Sequence, residues 1–243
     1  MQKDTENWFV SWFDTPYYHI LYKERDDDEA GVFMKNLTNF LSLSKNAEIL
    51  DLACGKGRHA RYLNKMGFNV TGIDLSPSSI AHAKQFEKEG LQFKVHDMCL
   101  PFPKKFDAVF NLFTSFGYFE NEQDNLRTIK AIKAELKSNG LGVIDFMNAS
   151  FVKNNLVPSE TKTIEGISFT IKRSIKDGYI IKEIYFENNN EAFNYIEKVK
   201  AISLSDFKAY FKKAGVELLY QFGDYQLNPF DEETSNRLIL IFR

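Results

Sequence analysis

Two hydrophobic periods alternate along this chain. Ile49–Leu52 and Val70–Leu75 are short, continuous apolar runs, the pattern of strands buried on both faces. Leu91–Val95, Phe106–Phe113 and Leu141–Phe146 read as three further strands. Helical spacing fills the intervals. Val32, Phe33, Leu37, Phe40 and Leu41 mark a helix over Ala30–Leu43, and Arg58–Met66 is rich in helix formers and closed by Gly67. Ser76-Pro77 is an N-cap followed by proline at the first helical position, opening a helix to about Glu89 that stops at Gly90. Leu126, Ile129, Ile132 and Leu136 line one face of a helix from Asn121 to about Ser138, with Gly140 beyond.

From residue 150 to 202 the helical period disappears. β-branched and aromatic residues alternate with Lys, Arg and Glu over Ile167–Ile175, Tyr179–Phe186 and Tyr195–Ile202. Asp177-Gly178 is a strong hairpin signal and Asn188–Asn190 a second turn, so the segment predicts an antiparallel sheet of three or four strands with one wet face. Ser203 then caps a helix through Lys213, closed by Gly215, and Glu217–Phe222 and Leu238–Phe242 read as the last strands.

The first strand, glycine turn, helix and second strand form a βαβ unit, which places a nucleotide over the carboxyl ends of its strands. Gly55 and Gly57 permit close backbone approach, and Asp74 ends the second strand where a carboxylate accepts ribose hydroxyls. Gly55–Ala60 also fits the dinucleotide fingerprint G-x-G-x-x-G/A, a weak signal alone. Asp51, just ahead of the glycines, suits an ammonium group and repels a pyrophosphate.

This arrangement resembles the class I S-adenosylmethionine (SAM)-dependent methyltransferases, whose first motif is an acidic residue followed by G-x-G-x-G. Here it stands as Asp51-Leu52-Ala53-Cys54-Gly55-Lys56-Gly57, with Ala53 in place of the first glycine. The likeness continues through Asp74, Asp97-Met98 and Phe106–Asn111, covers roughly residues 45 to 150, and resumes in about the last thirty. It implies an α/β fold: a Rossmann-like seven-stranded sheet of order 3-2-1-4-5-7-6, with a small antiparallel β insertion after strand 5. The chain then divides into an N-terminal helical cap (1–44), a SAM-binding core (45–149), the β insertion (150–202) and the C-terminal part of the core (203–243).

The resemblance also implies roles. SAM is the cofactor and S-adenosylhomocysteine (SAH) the product. Asp51, Ala53, Cys54, Gly55 and Gly57 surround its methionine portion, with Arg58 on the carboxylate. Asp74, Leu75 and Ser76 take the ribose; Asp97 and the Met98 backbone take the adenine; Asn111 and Phe113 lie beneath the cofactor. Tyr18, Tyr22, Phe113 and Tyr118 are candidates for an aromatic wall that attracts the sulfonium. In place of the (N/D)-P-P-(Y/F) motif of many amino-group methyltransferases stands Asn111-Leu112-Phe113-Thr114, which argues against DNA or N-directed RNA methylation.

Methyl transfer needs no metal, and none is expected. A base is needed only for a hydroxyl or protonated amine; His19, Tyr18 and Tyr118 are the catalytic candidates, while His59 and His96 stand in no diagnostic constellation. An NAD(P)-dependent oxidoreductase on a related fold, or a non-catalytic SAM-binding protein, are the competing readings.

Composition narrows the partners. A formal net charge of −2 over 243 residues gives no footprint for nucleic acid or an anionic membrane, and no apolar run is long enough to span a bilayer. Two cysteines make no disulfide framework, and the N-terminus lacks a signal pattern, so the expectation is a cytoplasmic enzyme on a small-molecule substrate. The 23 Phe, 11 Tyr and 2 Trp serve either a Phe-rich core or an aromatic-lined pocket. Trp8, Phe9, Trp12, Phe13, Tyr17, Tyr18 and Tyr22 gather before the first strand, either folding over the cofactor or packing on the sheet edge. The β insertion is expected to be a lid, a pocket wall or a homodimer contact.

Overall fold

The computed structural model describes residues 12–22, 27–119 and 121–243, without the side chains of 27–29. Trp8 and Phe9, and the acidic run beginning at Asp26, lie outside the described residues or side chains. Five parallel strands build the centre: β1 (Glu48–Leu52), β2 (Asn69–Asp74), β3 (Leu91–Val95), β4 (Phe106–Asn111) and β5 (Leu136–Met147). An antiparallel pair, β10 (Leu218–Phe222) and β11 (Arg237–Phe242), closes the sheet beside β5. The order is β3-β2-β1-β4-β5-β11-β10, the topology expected from the sequence.

Both faces are covered, which is why the strands read as unbroken apolar runs. On one face Ile49 and Val70 pack with Phe33, Met34 and Leu37 of α2 (Asp27–Phe40) and Leu63 of α3 (Arg58–Lys65). On the other, Leu50 and Ile73 share a core with Ile129 and Ile132 of α5 (Glu122–Glu135) and Phe207 and Phe211 of α7 (Leu204–Ala214). Among the described residues eleven phenylalanines, including Phe93, Phe106, Phe110 and Phe146, are fully buried. Each contributes about 1.5–3 kcal/mol of burial. The phenylalanines thus answer mainly to the core.

Residues 159–200 form a separate four-stranded antiparallel sheet: β6 (Ser159–Ile164), β7 (Ile167–Lys176), β8 (Tyr179–Asn188) and β9 (Glu191–Lys200). Its turns are two-residue loops with both φ positive, at Glu165-Gly166, Asp177-Gly178 and Asn189-Asn190. That backbone matches the strand twist and selects Gly, Asn and Asp.

Several boundaries differ from the sequence reading. The helix after β2, α4 (Pro77–Ala83), tightens into a 3-10 turn over Lys84–Phe86 instead of reaching Glu89, because the Glu87 carboxylate turns back to accept the Phe93 N–H at 2.7 Å. α5 ends at Glu135, where Leu136 goes over to β5 and pairs with Phe106 before a register shift. β4 stops at Asn111 rather than Phe113, since Phe113 and Thr114 take φ of 58° and 61°. Asn148, just past the end of β5, caps a short helix, α6 (Ala149–Asn154), that sequence spacing does not announce.

Candidate active site

A cavity of about 510 Å³ opens over the carboxyl ends of β1, β2, β3 and β4. Its floor begins where β1 runs into the glycine turn. Asp51 is 2% exposed, and its Oδ2 has no hydrogen-bond partner among the described residues. Burial, with the nearby Asp74 adding to it, lifts the Asp51 carboxyl to about 7 despite the Ala60 N–H. Among the described residues nothing forms an ion pair with it. Ala53 follows in the left-handed region, φ 63°, the conformation for which glycine is the easy residue. At Gly55, φ 53°, the space a Cβ would occupy is open and faces the cavity.

Asp74, at the tip of β2, accepts the Gly55 N–H at 2.8 Å and the Ser76 N–H at 2.9 Å, which ties the first turn to the second strand. Burial raises its pKa more than these hydrogen bonds lower it. Ser76 caps α4 through the Ser79 N–H at 3.1 Å. Its hydroxyl donates to Asp14, a contact from the N-terminal segment. Asp97, two residues past β3, accepts the Cys99 N–H at 2.9 Å and lines the cavity with Met98. Three acids thus stand at the ends of three consecutive strands.

The cavity brings together Asp51, Ala53, Cys54, Gly55, Arg58, Asp74, Leu75, Ser76, Asp97, Met98 and Phe113 from the core with Tyr18, His19, Tyr22 and Tyr118. Two expected residues do not line it. Asn111 is fully buried below, its amide donating to the Leu52 carbonyl at 3.2 Å. Gly57 faces Phe93 instead, where an added Cβ would lie 2.5 Å from the ring. Its glycine serves helix–sheet packing.

Asp14, Phe13, Lys56, Ser79, Leu112, Ser115 and Phe119 also line the cavity, as do His59 and His96. Asp14 carries no local signal, since its partner Ser76 is 62 residues away. His59 stacks on Phe113 at 4.3 Å and contacts Arg58 at 3.0 Å.

The N-terminal segment forms the roof. Thr15 caps α1 (Pro16–Leu21) through the Tyr18 N–H, and Pro16 sits at its first position. Trp12 and Leu21 are buried against Phe169, Ile171, Ile184 and Phe186 of the four-stranded sheet. Glu197 of β9 accepts from Trp12 Nε1 at 2.8 Å and from Tyr22 Oη at 2.6 Å, and pairs with Lys182 at 3.1 Å. Among the described residues no side chain of the four-stranded sheet lines the cavity. The sheet buttresses the roof through Trp12, Leu21 and Tyr22.

His19 sits in that roof with Nε2 buried and without a hydrogen-bond partner among the described residues. Burial first, then the charges of Lys56 and His82, lower its pKa, against a smaller opposing effect of Asp14. It is a neutral imidazole at pH 7.

Comparison with known proteins agrees with this architecture. Residues 49–140 match the family described as a methyltransferase domain. The chain is similar to YqeM of Bacillus subtilis (strain 168), named as a methyltransferase, at 29% identity over 189 residues covering 73% of this chain and 76% of that one. It is also similar to the dTDP-3-amino-3,4,6-trideoxy-alpha-D-glucopyranose N,N-dimethyltransferase of Streptomyces venezuelae, 22% identical over 186 residues, covering 72% and 77% of the two chains. A SAM-dependent methyltransferase from Clostridium acetobutylicum ATCC 824 shares the fold with a TM-score of 0.79 at 19% identity, covering 93% of this chain and 95% of that one. The domain match over residues 49–140 and the shared fold support a SAM-dependent methyltransferase of the small-molecule type, with SAM as the cofactor.

The residues present fit that cofactor. The unpartnered Asp51 oxygen supplies the anion an α-ammonium requires, and the open face of Gly55 leaves room beside it.

Proposed function

We propose that this enzyme methylates the nitrogen of a small, polar amine, of the amino-sugar class, in the cytoplasm. The observation that carries the reading is His19: a half-buried, neutral imidazole in the aromatic roof of the cavity, whose Nε2 is buried and has no hydrogen-bond partner among the described residues. An amine is protonated at neutral pH and must shed a proton before its lone pair can attack; a neutral histidine is suited to take it. The relative from Streptomyces venezuelae, by its name, acts on such an amine. Cys54 and Cys99 are free and buried, in keeping with a reducing compartment.

When bound, SAM supplies a methyl group on a positively charged sulfur. The protein's work is orientation, exclusion of water and proton removal. In this reading Asp51 holds the ammonium of the methionine portion and Arg58 its carboxylate. Asp74 and Ser76 hold the ribose, and Asp97 the adenine amino group. Tyr18, Tyr22, Phe113 and Tyr118 surround the reacting centre with ring faces, which favour a cation through their quadrupoles. His19 Nε2 accepts the acceptor's proton.

The test is methyl transfer from labelled SAM to a panel of amino sugars, phenols and carboxylic acids. Wild-type enzyme should label an amine at nitrogen. His19→Asn should lower kcat about 100-fold or more while leaving SAH affinity within about twofold. The pH profile follows from the lowered pKa: activity holds while His19 is neutral and falls only as pH drops below the ordinary histidine range near 6.5. Wild-type turnover by His19→Asn, or labelling at oxygen alone, would end this assignment.

A further inference from the structure

Phe113 and Thr114 are consecutive non-glycine residues in the left-handed region, φ 58° and 61°, at the end of the strand beneath the cavity. Such a conformation is strained for a residue with a side chain and persists only where its surroundings over-determine it. The surroundings here are specific. Asp145 of β5 is fully buried; its Oδ2 accepts the Phe113 N–H at 2.8 Å, and its carbonyl accepts the Thr114 N–H at 3.0 Å. Arg237, the first residue of β11, donates Nε to Asp145 Oδ1 at 2.8 Å and Nη2 to Thr114 Oγ1 at 3.0 Å. One guanidinium fork therefore grips both the carboxylate and the turn. The turn aims Phe113 into the cavity and onto His59, which contacts Arg58.

We propose that Asp145 and Arg237, neither of which lines the cavity, are positioning residues for methyl transfer: together they hold the Phe113–Thr114 turn and through it the Phe113–His59–Arg58 wall of the cofactor site. The inference rests on the methyltransferase reading of that cavity. A buried acid–arginine pair is costly to desolvate and is poor evidence for stability alone. Here its hydrogen bonds go to a strained turn, where a hydrophobic pair could not replace them. A lysine at 237 keeps the charge but cannot reach Asp145 and Thr114 together.

The experiment measures SAH affinity by calorimetry and the His59 ring resonances by NMR, the latter reporting the stacked Phe113 ring. Arg237→Lys should weaken SAH about tenfold and move the His59 signal toward its unstacked position. Thr114→Val, which keeps the branched shape and the buried pair, should shift both readouts in the same direction by a smaller amount. Adding Thr114→Gly to Arg237→Lys should recover SAH affinity to within about threefold of wild type, because glycine holds positive φ without the clamp. A merely structural role for the pair gives no such recovery. Wild-type SAH affinity with an unmoved His59 signal in Arg237→Lys, or failure of the glycine rescue, overturns the proposal. Failure of the wild-type protein to bind SAH instead overturns the reading of the cavity, and the His59 signal still reports on the turn.

Discussion

Asp51 shows how the site trades stability for binding. Its carboxyl is raised to about 7, chiefly by burial, so above that pH a charge is held in the core with no charged partner among the described residues. A folded pKa above the unfolded value means the ionised form is disfavoured on folding. The cost is absent near pH 4 and grows as pH rises toward 7, to at most about 4 kcal/mol. Asp51→Asn should therefore raise the thermal midpoint of the ligand-free protein at pH 8, as followed by circular dichroism. The same change should weaken SAH about 30-fold or more, because the ammonium loses its anion. In wild type SAH affinity should improve from pH 6 to 8 as Asp51 ionises, and calorimetry of Asp51→Asn should show a flat profile over that range. Ala53 makes a smaller statement of the same kind. At φ 63° it bears the steric penalty that a glycine escapes, so Ala53→Gly should stabilise by about 0.5–1 kcal/mol in urea unfolding, the entropy of glycine offsetting part of the relief.

Among the elements, the roof and the four-stranded sheet behave as one unit joined at Glu197. Burial alone would raise the Glu197 pKa, but the Lys182 ammonium and the Tyr22 and Trp12 hydrogen bonds hold it below the usual value. The stabilisation this implies is present above the ordinary glutamate pKa near 4.5 and is lost as pH falls through the lowered one. Glu197→Gln keeps the hydrogen-bond acceptor and removes the charge facing Lys182, so α1 should loosen while the core sheet stays intact. Hydrogen exchange of the 17–22 amides should speed up about tenfold, with the β1 and β4 amides unchanged. Equal acceleration in all three would show that Glu197 supports the whole fold instead. The sequence announces the hairpins of this sheet through Asp177-Gly178 and Asn188–Asn190, since such turns demand positive φ locally. It does not announce what the sheet carries, because Trp12 and Glu197 meet across 185 residues and neither neighbourhood encodes the meeting. The handover from α5 to β5 is hidden for a related reason. Leu136 continues the helical period, and only its pairing with Phe106 takes it into the sheet.

At the scale of the whole molecule, the function was legible where one strand end carries one chemical group. Asp51, Asp74 and Asp97 close β1, β2 and the segment after β3, and parallel order brings the three tips to one edge of the sheet. Asp14 and the Asp145–Arg237 pair reach the site only through tertiary contacts, so spacing along the chain says nothing of them. The cavity between sheet and roof exists only in the folded protein, and its ligands must stabilise that state by mass action. SAM or SAH at about 100 times its Kd adds roughly 2.7 kcal/mol, which in a domain of this size raises the thermal midpoint by about 5–10 °C. NAD should give no shift, because its pyrophosphate would face the Asp51 carboxylate across the glycine turn. A midpoint raised by NAD and unmoved by SAH would transfer the cavity to hydride chemistry, and with it every role assigned to the three strand-end acids.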